Sequence, residues 1–337
     1  MRILVTGAGG FLGSVLVRKL LERGQRDIRC LVRSPNRLDQ LNSTVALRPD
    51  ARVEIMTGNL SRSEDAARAV ADVDTIFHLA SAMGGGAPDM FLNTVVGSRN
   101  LLDAVGDRPL RIVLVSSFGV YGVAGLRRGA VVDEHTPLEA HPERRDIYSH
   151  TKLRQELLFL EYQNKLGFEL VIMRPGVIYG PGMAGHFSAR VGLPLFGVFL
   201  HLGGGNKLPL TYVENCADAI ITAGLASDAA GHVYNVHDDD LPTSRQYLKR
   251  YKREVKKIRS VRVPYAALKL VSRLVERYHR YSKGQLPAIF TPYKTASLWA
   301  GNRFDNRVLK ATGWTQQIST DEGLSRTFTY FRESAKK

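Results

Sequence analysis

Short, mostly apolar runs recur through the first half of the chain. They are Ile3–Val5, Ile28–Val32, Val53–Thr57, Thr75–Leu79, Ile112–Ser116 and Leu170–Met173. Runs this short, bounded by small or polar residues, read as strands with both faces covered. Between them lie segments with helical spacing: Ser14–Leu21, Ala66–Val70, Asn93–Val105 and Leu153–Lys165. Strict alternation of the two predicts an α/β fold built on a doubly wound parallel sheet. After Gly180-Pro-Gly182 the pattern loosens. A helix fits Asn215–Leu225 and one returning strand fits His232–Val236; the rest is mixed and is expected to close over the carboxyl edge of the sheet.

The first strand runs into a turn with Gly7, Gly10 and Gly13, and then into a helix. A strand, a glycine turn and a helix N-terminus together form a site for a dinucleotide pyrophosphate: the glycines let backbone approach the phosphates, and the helix end supplies free N–H groups and a partial positive charge. Residues 1–180 are therefore read as a dinucleotide-binding, Rossmann-type domain, completed by the strand near 232–236. Residues 181–337 are read mainly as a smaller substrate-binding region.

Two further patterns carry chemistry. Tyr148 and Lys152 stand four apart, so on a helix they share a face, and an ammonium beside a phenol favours the phenolate. Such a phenol can exchange a proton with a hydroxyl or carbonyl. Ser116 and Ser117 end an apolar strand, at the edge where open α/β sheets bind ligands. Arg174-Pro-Gly-Val-Ile-Tyr-Gly-Pro-Gly182 ends a later strand in the same way.

Taken in order, these motifs resemble the extended short-chain dehydrogenase/reductase family, of the NAD-dependent epimerase/dehydratase kind. The matching residues are Thr6–Gly13, His78-Leu-Ala-Ser81, Asn93 before Gly97, Ser117 before Tyr121, Tyr148 with Lys152, and 174–182; the likeness runs in order to about residue 240. Leu210–Ala219 and the late Gly313-Trp314 lean towards the 3β-hydroxysteroid dehydrogenase branch. The resemblance implies that Tyr148 is the acid/base, that Lys152 holds the nicotinamide ribose and lowers the phenol's pKa, and that Ser117 binds the reacting oxygen. It implies a cofactor lined by Gly7, Gly10, Phe11, Leu12, Gly13, Asn59, Leu60, Leu79, Ala80, Ser81, Asn93, Ser116, Pro175 and Val177. Asn59 stands where the family usually has Asp. Met83, Phe118, Gly176 and Phe187 are the candidate substrate contacts, and the resemblance also implies a homodimer through the Tyr148 helix.

The second strand ends Val32-Arg33-Ser34, with Arg37 close by and no acid before Asp39. A guanidinium suits a ribose 2′-phosphate better than a pair of neutral hydroxyls. Arg33, Ser34 and Arg37 are thus read as a clamp for NADP(H), with NAD(H) the alternative.

Two features bear on the substrate. Where nucleotide-sugar epimerases of the family often carry Asn, the residues after Arg174 are Pro-Gly-Val, and 191–202 is unusually apolar, which suits an apolar ligand or an ordinary core. Both lean towards a lipophilic alcohol or ketone, sterol-like or otherwise alicyclic. The alternative is a nucleotide-sugar epimerase or dehydratase using the same Ser–Tyr–Lys set, and a third class is a non-catalytic cofactor-binding protein, which the intact set argues against.

The net charge of +15 is concentrated: between Arg245 and Lys283 there are fourteen Lys/Arg against two acids. That segment reads as a solvated face, as a membrane-surface helix over 264–283, or as an attractor for an anionic substrate. In the second reading Leu268, Val271, Val275 and Tyr278 form one apolar stripe with cations on the other sides. No nucleic-acid recognition motif accompanies the charge. Cys30 and Cys216 are too few for a disulfide framework and read as small buried apolar residues. No metal-ligand cluster is evident. No run reaches the ~20 apolar residues a membrane span needs, and the expected location is cytoplasmic, or peripheral at a membrane.

Overall fold

The computed structural model describes residues 1–34, 38–46, 48–203, 205–282 and 291–334. Seven parallel strands form the central sheet: β1 (Ile3–Thr6), β2 (Asp27–Val32), β3 (Arg52–Thr57), β4 (Thr75–His78), β5 (Arg111–Val115), β7 (Glu169–Pro175) and β12 (Val233–Val236). Their spatial order is β12-β7-β5-β4-β1-β2-β3. The sheet is therefore doubly wound, and the strand order reverses between β1 and β4.

Both faces of the sheet are covered, which is why its strands are continuous apolar runs. The helices that follow the strands are α1 (Phe11–Glu22), α2 (Asp39–Ala46), α3 (Ser63–Val70), α4 (Ala87–Phe91), α5 (Gly97–Val105), α6 (Ile147–Leu166) and α7 (Val213–Leu225). Ile3, Val5, Leu16, Leu20, Val113 and Ile220 belong to the core on one face. Leu4, Ile76, Leu101, Ile112, Leu114 and Phe159 belong to that on the other. Alternate residues of β1 thus serve opposite cores, and each fully buried side chain contributes roughly 1.5–3 kcal/mol. Cys30 and Cys216 lie inside the first core as expected.

Between α5 and α6 runs β6 (Val131–Val132). Beyond β7 come β8 (Val177–Tyr179), the hairpin β9 (Gly192–Leu195) and β10 (Val198–Leu202), and β11 (Leu210–Tyr212), which pairs with β8. After β12 the chain forms α8 (Ser244–Glu254), β13 (Ser260–Val263), α9 (Tyr265–Tyr281), α10 (Pro292–Trp299), β14 (Arg303–Phe304), α11 (Arg307–Ala311) and α12 (Thr320–Ser334). β13 joins β10, and β14 joins β6. Tyr179, Phe199, Tyr212, Tyr247, Tyr251, Phe328 and Phe331 make a third, aromatic core there. Asp238, just past β12, pins this region to the sheet: its carboxylate accepts from Asn215 Nδ2 (2.9 Å), the Tyr212 N–H (3.0 Å) and Tyr179 Oη (3.1 Å).

The apolar stretch 191–202 is the β9–β10 hairpin. Val191 and Phe199 join the aromatic core, Leu202 packs on Leu268 and Trp299, and Leu195 and Phe196 at the tip face solvent. Among the described residues no helix is long and apolar enough to cross a membrane.

Candidate active site

The switch point between β1 and β4 opens a crevice at the carboxyl ends of the strands, where this architecture binds ligands. β1 leads into Gly7, whose φ of +70° an L side chain rarely adopts. Gly10 caps α1 with no side-chain hydrogen bond, so the first N–H groups of the helix, from Phe11, Leu12 and Gly13, face outwards unspent. A Cβ on Gly13 would sit 2.1 Å from the Gly7 carbonyl oxygen, so only glycine lets the helix pack this closely under the strand. Across the crevice Thr6 Oγ1 accepts the Ala80 N–H (3.2 Å), joining the ends of β1 and β4. Free N–H groups at a helix end beside a glycine turn suit a dinucleotide pyrophosphate.

α6 begins earlier than the sequence pattern indicates. Asp146 caps it, accepting the Ser149 N–H at 2.9 Å, which brings Tyr148 and Lys152 onto the same helix one turn apart. The turn after β5 approaches this first turn so closely that a Cβ on Gly119 would lie 2.9 Å from Ser149 Oγ. Ser117, whose Oγ accepts the Gly119 N–H at 3.1 Å, is thereby presented towards Tyr148 and acts on its phenol. Burial raises the Tyr148 phenol above its ordinary range; the contact with Ser117 pulls it back down, and Asp146 pushes it up.

The expected depression of the phenol by Lys152 is not seen. The Lys152 ammonium is turned inwards, donating to the Val115 carbonyl (2.6 Å) and to Gln155 Oε1 (2.6 Å). Burial lowers it to about 7, against the opposing pull of Glu156.

Behind this pair lies a buried polar network that the motifs did not announce. Gln155 donates to Ser98 Oγ (2.8 Å) and the Ala80 carbonyl (3.3 Å). His78 sits between Thr6 Oγ1 (2.9 Å) and Ser98 Oγ (3.0 Å), held neutral by burial, which lowers it to about 3. Lys152 is thus linked through Gln155 and His78 to the glycine turn. On the other side Glu156 pairs with Arg174 and accepts the Ser116 hydroxyl, while Arg174 stacks over Tyr121 at 4.7 Å. The Ser116 hydroxyl, expected at the cofactor, is committed to this ion pair; consecutive strand residues point to opposite faces, so Ser117 turns to Tyr148.

The remaining cofactor candidates ring the crevice at strand ends. Asn59 accepts the Ser61 N–H with its side chain (3.1 Å), and Leu60 is buried against Gly97. Leu79 and Ser81 follow β4, and Pro175 and Val177 flank the end of β7. A π-helical turn at Leu92–Val96 interrupts the helix expected over Asn93–Val105. Within it Asn93 donates to the Asp89 carbonyl (2.7 Å) and accepts from Arg33 (3.3 Å). Arg33 and Ser34 are exposed at the end of β2; Arg37 lies outside the described residues.

The four substrate candidates differ in their surroundings. Met83 is exposed on the loop after β4. Phe118 is buried, stacked on Phe304. A Cβ on Gly176 would meet the Pro209 carbonyl at 2.0 Å, so this glycine serves the β8–β11 contact. Phe187 packs into the aromatic core against Phe199 and Tyr251, both at 4.5 Å. Sequence reasoning passed over Arg190. It is half-buried near Arg145 and Asp146, with no carboxylate partner among the described residues; burial, then the Arg145 cation, lowers it to about 10.

Known proteins are similar to this chain in sequence and fold. The model of the NAD dependent epimerase/dehydratase family matches residues 3–236. A 3 beta-hydroxysteroid dehydrogenase/Delta 5→4-isomerase of Mycobacterium tuberculosis (strain ATCC 25618 / H37Rv) is 33% identical over 255 residues, 70% of this chain and 65% of that protein. A 3-beta-hydroxysteroid dehydrogenase of Mycolicibacterium neoaurum is 29% identical over 266 residues, 71% of this chain and 66% of that protein. The match thus spans just under two thirds of each relative's length. Among solved structures, the UDP-glucose 4-epimerase of Thermus thermophilus in complex with NAD superposes with a TM-score of 0.70 at 22% identity, covering 98% of this chain and 99% of that one.

Proposed function

The chain belongs to the NAD dependent epimerase/dehydratase family, an enzyme of the extended short-chain dehydrogenase/reductase type, and from that premise we propose that it interconverts a secondary alcohol and a ketone on a lipophilic, alicyclic substrate. The observation that carries the reaction type is the Ser117 hydroxyl set by the Tyr148 phenol at the carboxyl edge, with an uncapped helix N-terminus on the same edge. A nicotinamide dinucleotide supplies hydride exchange with the substrate carbon when bound. Gly7, Gly10 and the N-terminus of α1 hold its diphosphate, and Leu79–Ser81 and Pro175 line its path to the site. Ser117 donates to the reacting oxygen and orients it. Tyr148 gives that oxygen its proton in reduction and removes it in oxidation. Lys152, braced by Gln155 and Val115, holds the ribose side of the pocket.

The substrate class rests on the steroid-dehydrogenase relatives and on the Pro-Gly-Val that follows Arg174. Arg190 favours a second reading: a half-buried guanidinium in no ion pair among the described residues suits the diphosphate of a nucleotide sugar. A thermal-shift titration with UDP in the presence of NADP⁺ separates the two. A ligand that binds only the folded state must raise the melting temperature. No shift with UDP, together with NAD(P)⁺ reduction on a panel of cyclic secondary alcohols, is the expected result. A saturable rise with UDP and no turnover of those alcohols would replace the lipophilic substrate with a nucleotide sugar.

The cofactor is taken to be NADP(H), with its 2′-phosphate on Arg33 and Ser34. Arg33 stands exposed at the end of β2 and donates to the Asn93 amide oxygen at 3.3 Å. Arg33→Asp is expected to shift the NADPH/NADH ratio of kcat/KM towards NADH by about tenfold or more, the worth of one charge-assisted hydrogen bond. An unchanged ratio would remove the clamp and leave NAD(H). The enzyme is further proposed to be a homodimer through α6.

A further inference from the structure

The sequence pattern places one apolar stripe on the helix of the basic segment; the structure divides that helix into three strips. Leu268, Ser272 and Val275 face the protein, with Leu268 packed on Leu202 and Trp299. Beside this seam runs a second strip: Leu270 (59% exposed), Val271 (44%), Leu274 (59%), Tyr278 (54%) and Tyr281 (84%). At 100° per residue these five, with Ala267, fall within about 100° of arc, and all six are exposed. The third strip is cationic: Lys269, Arg273, Arg277 and Arg280, all exposed. Of these only Arg280 has a carboxylate neighbour among the described residues, Glu276 at 3.6 Å. Lys283 lies outside them.

A contiguous exposed apolar strip on a folded protein marks an interaction surface. We propose that α9 docks the enzyme on an anionic lipid bilayer: the strip from Leu270 to Tyr281 sinks into the boundary of the acyl chains, and the Lys269–Arg280 row lies among the phosphate headgroups. Charge decides the occupant. An interfacial helix needs an apolar face and an adjoining cationic one, both turned from the protein, and α9 has both. A second copy meeting this face would set four cations against their own images, whereas an anionic surface attracts each of them. The inference stands independently of the substrate assignment.

The test is flotation of the full chain with vesicles of phosphatidylcholine and phosphatidylglycerol (70:30), against phosphatidylcholine alone. Binding to the anionic vesicles at least about tenfold tighter, and weakened by added salt, is expected. Leu270→Glu with Leu274→Glu should abolish it at an unchanged melting temperature, since both residues are exposed. Should that pair misfold, Arg273→Gln and Arg277→Gln give the second reading, each expected to weaken binding about fivefold. Absence of binding to either vesicle overturns the proposal. So does binding that survives both sets of substitutions, or a glutamate pair that merely converts a dimer to a monomer.

Discussion

Tyr148→Phe is expected to cut turnover by about 10²–10⁴-fold, the usual worth of a positioned general acid/base, while leaving nicotinamide cofactor affinity nearly unchanged. The substitution removes one oxygen and keeps the ring, so the packing of the first turn of α6 survives. The pH profile adds a second readout. Burial holds the phenol above its ordinary range. Alcohol oxidation needs the phenolate, so its rate should climb with pH through neutrality and onward. Carbonyl reduction needs the phenol and should stay flat over the same span. Ser117→Ala removes the contact that pulls the phenol down and should move the alkaline limb of oxidation to still higher pH. kcat and kcat/KM from pH 6 to 10, with a separate fluorescence titration of NADPH, would check this. A Phe variant with undiminished kcat would take Tyr148 out of the chemistry.

How far the site was legible in advance depends on the range of the forces that build it. The parallel strands were plain, because a strand buried on both faces must be apolar throughout. The glycine turn was plain too, because Gly7 and Gly13 are demanded by backbone geometry within seven residues. The early start of α6 was readable in principle: Asp146 three before Ser149 is an N-cap signal that the pattern of apolar residues overlooked. Ser116 and Ser117 could also have been separated, since neighbours on a strand face opposite ways. Gln155 and Glu156 could not. They are polar residues on a helix like many others, and only the folded arrangement buries them against β4, β5 and β7. The π-helical turn around Asn93 and the three strips of α9 likewise depend on what packs alongside.

Glu156 is the residue where stability and site meet. Glu156→Ala is expected to destabilise the protein by about 3–5 kcal/mol, because removing one member of a buried ion pair strands the other charge in low dielectric. Glu156 is fully buried and Arg174 nearly so, and their nearest atoms lie 2.5 Å apart. The Ser116 hydroxyl and the face of Tyr121 complete the set, and Tyr121 Oη reaches Asn235 on β12 at 2.6 Å. The pair therefore ties α6 to β5, β7 and β12 at the edge where Ser117 meets Tyr148. Replacing both partners with apolar residues, Glu156→Leu with Arg174→Met, leaves no stranded charge and should cost less than either single truncation. Urea unfolding of Glu156→Leu, Arg174→Met and the double variant measures the coupling directly. Losses that simply add would show that the two charges do not stabilise each other, and the case for the clamp would fall with them. If they couple as expected, the single variants should also lose activity beyond their loss of folded protein. Ser116 directly follows β5 and Ser117 comes one residue further on, so a shift at one is felt at the other.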